Sequence, residues 1–364
     1  MTTMNNSKRI YVDLHVLQTV PPSCVNRDDT GSPKTAVYGG VTRARVSSQA
    51  WKRAMRLQFR ELLSEGEVGQ RTKRVTELIA AEMRRDCPEL GEKQAQASAR
   101  TVLEAAGIKL KEEKETLRTG ALFFISPAQV RALAEIALHL DGKKPEKAAC
   151  QNALKSLPCI DIALFGRMVA DDPSLNFDAA AQVAHAISTH AVENEYDYFT
   201  AVDDCAPEDN AGAGHLGTVE FNSSTLYRYA TVNVGRLAEL LGEKTPEAVR
   251  AFVEAFLRSM PTGKQNTFAN WTRPDAVYVT VRRDQPINLA GAFEAPVSAG
   301  EHGYVSGSIE RLAQYAEETY QDFASAPVLA LSVGKGLEKL AEPCTVGVLL
   351  DTLEAWLKSS EAQQ

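Results

Sequence analysis

The sequence predicts an α+β protein in which a sheet-forming domain is interrupted twice. Three observations carry this. Short strand-like runs alternate with amphipathic helices at both ends of the chain. A long, mostly helical stretch separates the first strand–helix unit from the rest. A third region, 196–224, is acidic and glycine-bearing and has no helical period.

Ile10, Val12, Leu14 and Val16 alternate with Asp13 and His15, which predicts a half-buried strand with the two polar residues turned outward. Residues 20–40 are rich in turn formers and predict a long loop, the kind that usually has a function. The run 42–47 reads as a short strand. Ser47 or Ser48 then caps a helix running to about Leu63. Residues 71–85 and 94–106 predict helices, and the lysine- and glutamate-rich run 109–118 a solvated face or linker. ALFFI at 121–125 predicts a strand, after which Ser126 and Gln129 form a capping box with Pro127 at the first helical position. Ala180, Val183, Ala184 and Ile187 recur at helical spacing across 177–188. Strands follow at 226–234 and 277–281. Helices are expected from Thr245, at 310–319 and at 346–358.

Composition bounds the function. Of 364 residues, 44% are hydrophobic and 24% charged, as in an ordinary globular protein. No segment reads as a membrane span, and the N-terminus lacks a signal peptide's apolar stretch, so a cytoplasmic location is expected. The six cysteines include no C-x-x-C pair and the six histidines no paired ligand spacing, so reduced thiols and no metal are expected.

The net charge of −7 conceals an asymmetry. Residues 41–60 carry Arg43, Arg45, Lys52, Arg53, Arg56 and Arg60 and no acid, so the remainder sums to −13. Residues 193–209 hold seven acids and no base. At about 100° per residue, Lys52, Arg53 and Arg56 fall within about 60° of Gln49 on one helix face, opposite Trp51, Ala54, Met55 and Leu57. Arg43 and Arg45, two apart on a strand, share a side. Surface helices usually mix both signs, so an unopposed basic face points to a phosphate backbone, held by charge without reading bases.

Other motifs lead nowhere. Gly212-Ala213-Gly214-His215-Leu216-Gly217 matches G-x-G-x-x-G but follows an acidic loop and precedes a strand, the wrong context for a dinucleotide. No cofactor is expected. Asn26-Arg27-Asp28-Asp29 reads as a turn, with Asp28 or Asp29 as a nuclease carboxylate the alternative.

Four stretches resemble one family. They are SCVNRDDTGSPKTAVYGGVTRARVSSQAWKRAMR at 23–56, DIALFGRMVAD at 161–171, YFTAVDD with GHLGTVEFNSSTLYRYATVNV across 198–234, and PTGKQNTFANWTRPDAVYVTV at 261–281. Together they resemble the CasC family, the guide-RNA-binding backbone subunit of type I-E Cascade. That resemblance implies a modified RRM-like (ferredoxin-like) palm at 1–59, 183–195 and 225–364, helical fingers at 60–182, and a hairpin thumb at 196–224. It implies a non-catalytic subunit that binds crRNA, forms a helical filament with further copies of itself, joins other Cascade subunits, and meets target DNA through the guide duplex. By motif, Arg27, Ser47, Gln49, Lys52, Arg53 and Arg56 resemble backbone-contacting residues. Met168 and Leu216 resemble wedges beside a displaced base, and Lys264 and Gln265 further contacts. The sequence lacks the aromatic RRM motif, which suits a protein that must leave guide bases free to pair.

Overall fold

The computed structural model describes residues 9–113, 116–140, 142–201, 204–205 and 215–359. Its strands are β1 (Tyr11–Ser23), β2 (Thr35–Tyr38), β3 (Val41–Val46), β4 (Gln70–Thr72), β5 (Leu110–Glu113), β6 (Thr116–Thr119), β7 (Phe123–Ile125), β8 (Ala181–Val183), β9 (Ala186–Ser188), β10 (Glu195–Ala201), β11 (His215–Asn233), β12 (Ala276–Arg282) and β13 (Leu329–Val333). Its helices are α1 (Ser48–Leu62), α2 (Val75–Asp86), α3 (Glu92–Ala105), α4 (Pro127–Leu138), α5 (Lys147–Lys155), α6 (Ile160–Phe165), α7 (Val234–Leu241), α8 (Thr245–Arg258), α9 (Gln265–Phe268), α10 (Val305–Asp322) and α11 (Val346–Lys358).

The main sheet runs β13-β12-β1-β11-β9-β3-β2, with β10 paired to β11 off this path. The pairs β1–β12, β11–β9 and β3–β9 are antiparallel: Tyr11 faces Arg282, Leu226 faces Ser188, and Arg45 faces Ile187. The chain divides into two compact units. One comprises 1–55, 183–231 and 253–364, the other 56–182 and 232–252.

In the first unit β1 is central, and this corrects the half-buried expectation. Asp13 and His15 are as buried as Leu14 and Val16, because both faces of the strand are covered. On one side Tyr229 donates to Asp13 Oδ1 (3.0 Å), Tyr227 shares a hydrogen bond with His15 Nδ1 (2.8 Å), and Phe293 packs on Tyr227. On the other, Arg228 is stacked against Trp51 and Phe256, its carbon 3.7 and 4.4 Å from their ring centroids. β1 also continues through Pro21 and Pro22, so the expected loop shrinks to the residues before β2. Proline's fixed φ suits the end of a strand that needs no further N–H donors.

The second unit has its own core, in which Ile79 and Met83 of α2, Ala99 and Val102 of α3, and Leu133 and Ala137 of α4 pack together. The capping box is formed: Gln129 N donates to Ser126 Oγ (3.0 Å) and Ser126 N to Gln129 Oε1 (3.2 Å). Leu110–Glu113 pair with Thr116–Thr119 as the strands β5 and β6, where a solvated face or linker was expected. The helical spacing across 177–188 is overruled too, since 181–183 and 186–188 are the strands β8 and β9. Pairing of Leu226 and Tyr227 with Ser188 and Ile187 outweighs a local pattern built on two alanines. Among the described residues no helix is long and apolar enough to cross a membrane.

Candidate nucleic-acid interface

Two loops and a helix start meet in the first unit. The loop after β1 is tied to α1 by Asn26, whose Oδ1 accepts from Ser47 N (2.8 Å). Ser47 in turn caps the helix through its hydroxyl, which accepts from Ala50 N (3.3 Å). Within the loop Asp28 Oδ1 accepts from Thr30 N (2.9 Å), Thr30 Oγ1 (2.7 Å) and Ser32 N (3.0 Å). These bonds, the Thr30 hydroxyl first, hold its carboxyl below the usual carboxylate range. Asp28 therefore spends its acceptors on its own turn, and Arg27 beside it is exposed.

The second loop is 261–275. A Cβ at Gly263 would lie 2.1 Å from the Val25 carbonyl oxygen, so only glycine allows this backbone approach. Gly263 thus brings Lys264 and Gln265, both half-buried, to the loop that carries Arg27. Lys264 has a left-handed backbone (φ 49°) and precedes α9.

From α1, Gln49 and Arg53 are exposed and Lys52 is half-buried, with burial lowering its pKa. Leu57, expected on the packed face, is exposed, whereas Trp51, Ala54 and Met55 are buried. Arg45 is half-buried: its Nε donates to Thr35 O (3.0 Å), and its Nη1 lies 3.2 Å from His185 Nδ1.

One expected phosphate contact is corrected. Arg43 is fully buried, and its three guanidinium nitrogens donate to the carbonyls of Tyr38, Ser188, Phe293 and Glu294 at 2.8–3.2 Å. It ties strands together and has no path to a ligand. Arg56 is also largely committed. In the second unit it donates to buried Asp161 Oδ2 (3.0 Å) and Gly69 O (3.2 Å) and lies over the Phe124 ring. The helix face therefore divides by depth, which an angular count does not see.

Met168 stands on a fixed base in the second unit. Its neighbour Arg167 is buried between the Phe123 and Phe177 rings and donates to the carbonyls of Phe124, Leu154 and Leu175. Val169 N donates to Asn176 Oδ1 (2.7 Å). Met168 between them is 85% exposed, so it fills no core gap. In the first unit Leu216 is 56% exposed on the β10–β11 hairpin. Phe199 faces Gly217 there, and a Cβ at Gly217 would fall 2.4 Å from the Phe199 ring. The third glycine of the G-x-G-x-x-G run is thus a seat for an aromatic ring. Gly212 and Gly214 lie outside the described residues. Lone polar residues carry no periodic signal, so the sequence reading assigned no anchoring role to Asn26 in the first unit, nor to Asp161 and Arg167 in the second.

The protein is of the α+β class, and its first unit carries Arg27 and Lys264 on two apposed loops. Residues 12–356 match the model of the CT1975-like protein family, and the chain belongs to that family. It is similar to a chain of a structure described as "CRISPR RNA-guided surveillance complex, pre-nicking", at 38% identity and a TM-score of 0.85, over 95% of this chain and 99% of that one. A chain of a second "CRISPR RNA-guided surveillance complex" is 33% identical with a TM-score of 0.74, over the same shares. No curated protein matches the sequence. The resemblance to the CasC family and the RRM-like α+β fold class are both borne out. The chain is a homologue of CRISPR surveillance-complex subunits.

Proposed function

We propose that this chain is a non-catalytic guide-RNA-binding backbone subunit of a type I-E surveillance complex. Copies polymerise along the crRNA as a helical filament beside the other Cascade subunits, and the guide bases are left free to pair with target DNA. In this reading the palm is 1–59, 183–195 and 225–364, the fingers 60–182 and the thumb 196–224. The observation that carries it is 38% identity over 95% of the chain to a surveillance-complex subunit. Exposed Arg27, Gln49 and Arg53, with half-buried Arg45, Lys52, Lys264 and Gln265, support it as a grip on phosphates. Ser47 contributes through the helix start it caps, and exposed Met168 and Leu216 serve as wedges. The Asp28 turn supports a positioning role for NRDD rather than a catalytic one.

The test is RNA binding against salt. Arg27→Ala with Arg53→Ala should weaken binding equally for guides of unrelated sequence. It should flatten the slope of log affinity against log salt by roughly 0.7 per lost contact. An unchanged slope, or a loss confined to one guide, counts against the assignment. Magnesium-dependent RNA cutting that disappears in Asp28→Ala would show a nuclease instead.

A further inference from the structure

The loop 261–275 displays a side chain that nothing above uses. Trp271 is 54% exposed, although tryptophan is a residue that folding normally covers. Its two neighbours are fixed. Asn270 is buried and donates from Nδ2 to Gly263 O (3.4 Å). Thr272 accepts from Gln18 Nε2 at its carbonyl (2.8 Å) and donates from its hydroxyl to Thr19 O (2.7 Å), while its N–H meets Met260 Sδ (3.2 Å). Three residues on, Asp275 N donates to Leu17 O (2.8 Å) and Asp275 Oδ2 accepts from Thr19 N (2.6 Å). The indole is therefore held out on a base riveted to β1.

The same loop is strained. Among the described residues three non-glycine positions have positive φ, and two of them, Lys264 (49°) and Ala269 (47°), bracket α9. Strain of this kind persists where surrounding structure imposes it, and it gathers at ligand clamps. The loop also carries cations on both sides of the indole in sequence, Lys264 and exposed Arg273, and Gly263 holds it to the loop of Arg27.

We propose that Trp271 is a stacking platform for one nucleobase of the bound single strand, with Lys264 and Arg273 on the flanking phosphates. This rests on the RNA-binding reading above and adds a contact to it. A π face accepts every base, so one stacking ring preserves indifference to guide sequence. The rigid mount means that little side-chain freedom is lost on binding.

Tryptophan fluorescence reports the contact directly. Of the three tryptophans, Trp51 is buried and Trp356 half-buried, so stacking at Trp271 dominates any quenching. Titration of the full chain with oligouridylate and oligoadenylate should quench emission saturably. Trp271→Phe should abolish most of the quenching yet keep binding, measured by anisotropy of labelled RNA, within about threefold. Trp271→Ala should weaken binding at least about fivefold for both oligomers. Circular dichroism should match the parent, since the ring is exposed. If the Ala variant binds RNA with parental affinity, or binding brings no quenching, the platform is wrong while the RNA-binding reading stands. Parental RNA affinity with an altered elution volume in the Ala variant would place the ring in a protein interface and overturn the proposal. If neither parent nor variants bind RNA, the underlying reading fails with it.

Discussion

Two arginines ten positions apart, Arg43 and Arg53, show what a cationic run hides. Arg43 is buried on four carbonyls and Arg53 is exposed. Arg43→Ala should cost about 3 kcal/mol or more of stability, because it strands buried acceptors and opens a void. Arg53→Ala should leave the melt within about 0.5 kcal/mol of the parent and weaken RNA binding. Thermal denaturation and RNA titration of both variants check this, and equal melts would refute the division. The sequence placed Arg43 and Arg45 correctly on one side of a strand. It had no means of telling that the chain from Phe293 to Glu294, some 250 residues away, covers the first of them.

Burial also sets two opposed pH responses in β1. It raises Asp13 from 3.8 to about 6 and lowers His15 from 6.5 to about 3. The folded state holds the Asp13 proton more tightly than the unfolded chain does, so this contribution is present at low pH and lost as pH rises from about 4 to 6. The folded state disfavours the His15 proton, so that contribution is full above about 6.5 and lost as pH falls. Between about pH 4 and 6 the two slopes oppose. Asp13→Asn should make stability rise with pH across that window, and His15→Gln should make it fall. Urea titrations at pH 4.5 and 6 distinguish the variants, and identical slopes in both would refute the assignment.

At the scale of elements, legibility follows period and length. The helix from Thr245 and the helix 346–358 were readable because each repeats an apolar stripe over three or more turns. The strands β8 and β9, three residues each, were not, since partners far along the chain decide them. The loop reading of 20–40 held only between β1 and β2, because prolines mark a turn or a strand end equally well. The hairpin was legible through its lack of helical period. All seven residues of β10 are exposed, Tyr196 and Tyr198 on one face and Phe199 on the other. Such a ribbon contributes little to the core. Shortening 205–217 to a tight turn should therefore leave a folded chain with a melt within about 1 kcal/mol of the parent. It should erase the periodic nuclease footprint on bound guide RNA. A misfolded product would assign the segment to the core, and an unchanged footprint would remove its role along the RNA.

At the scale of the whole molecule, the strand order has a consequence for how the chain is made. β1 lies between β12 and β11, so the first strand to be synthesised finds no partner until residues beyond 215 and 276 exist. At about 5–20 residues per second, an apolar strand waits roughly 15–50 s for the partner that ends at Arg282. The helical cluster, whose buried members all lie between residues 75 and 175, is synthesised long before. A ribosome that stalls between residues 182 and 215 thus releases a product with the helical cluster of 75–175 made and β1 lacking both of its neighbours. Such a product is a substrate for chaperones and proteases, and it has neither the Gly263 seat nor the second loop with which to seize a guide.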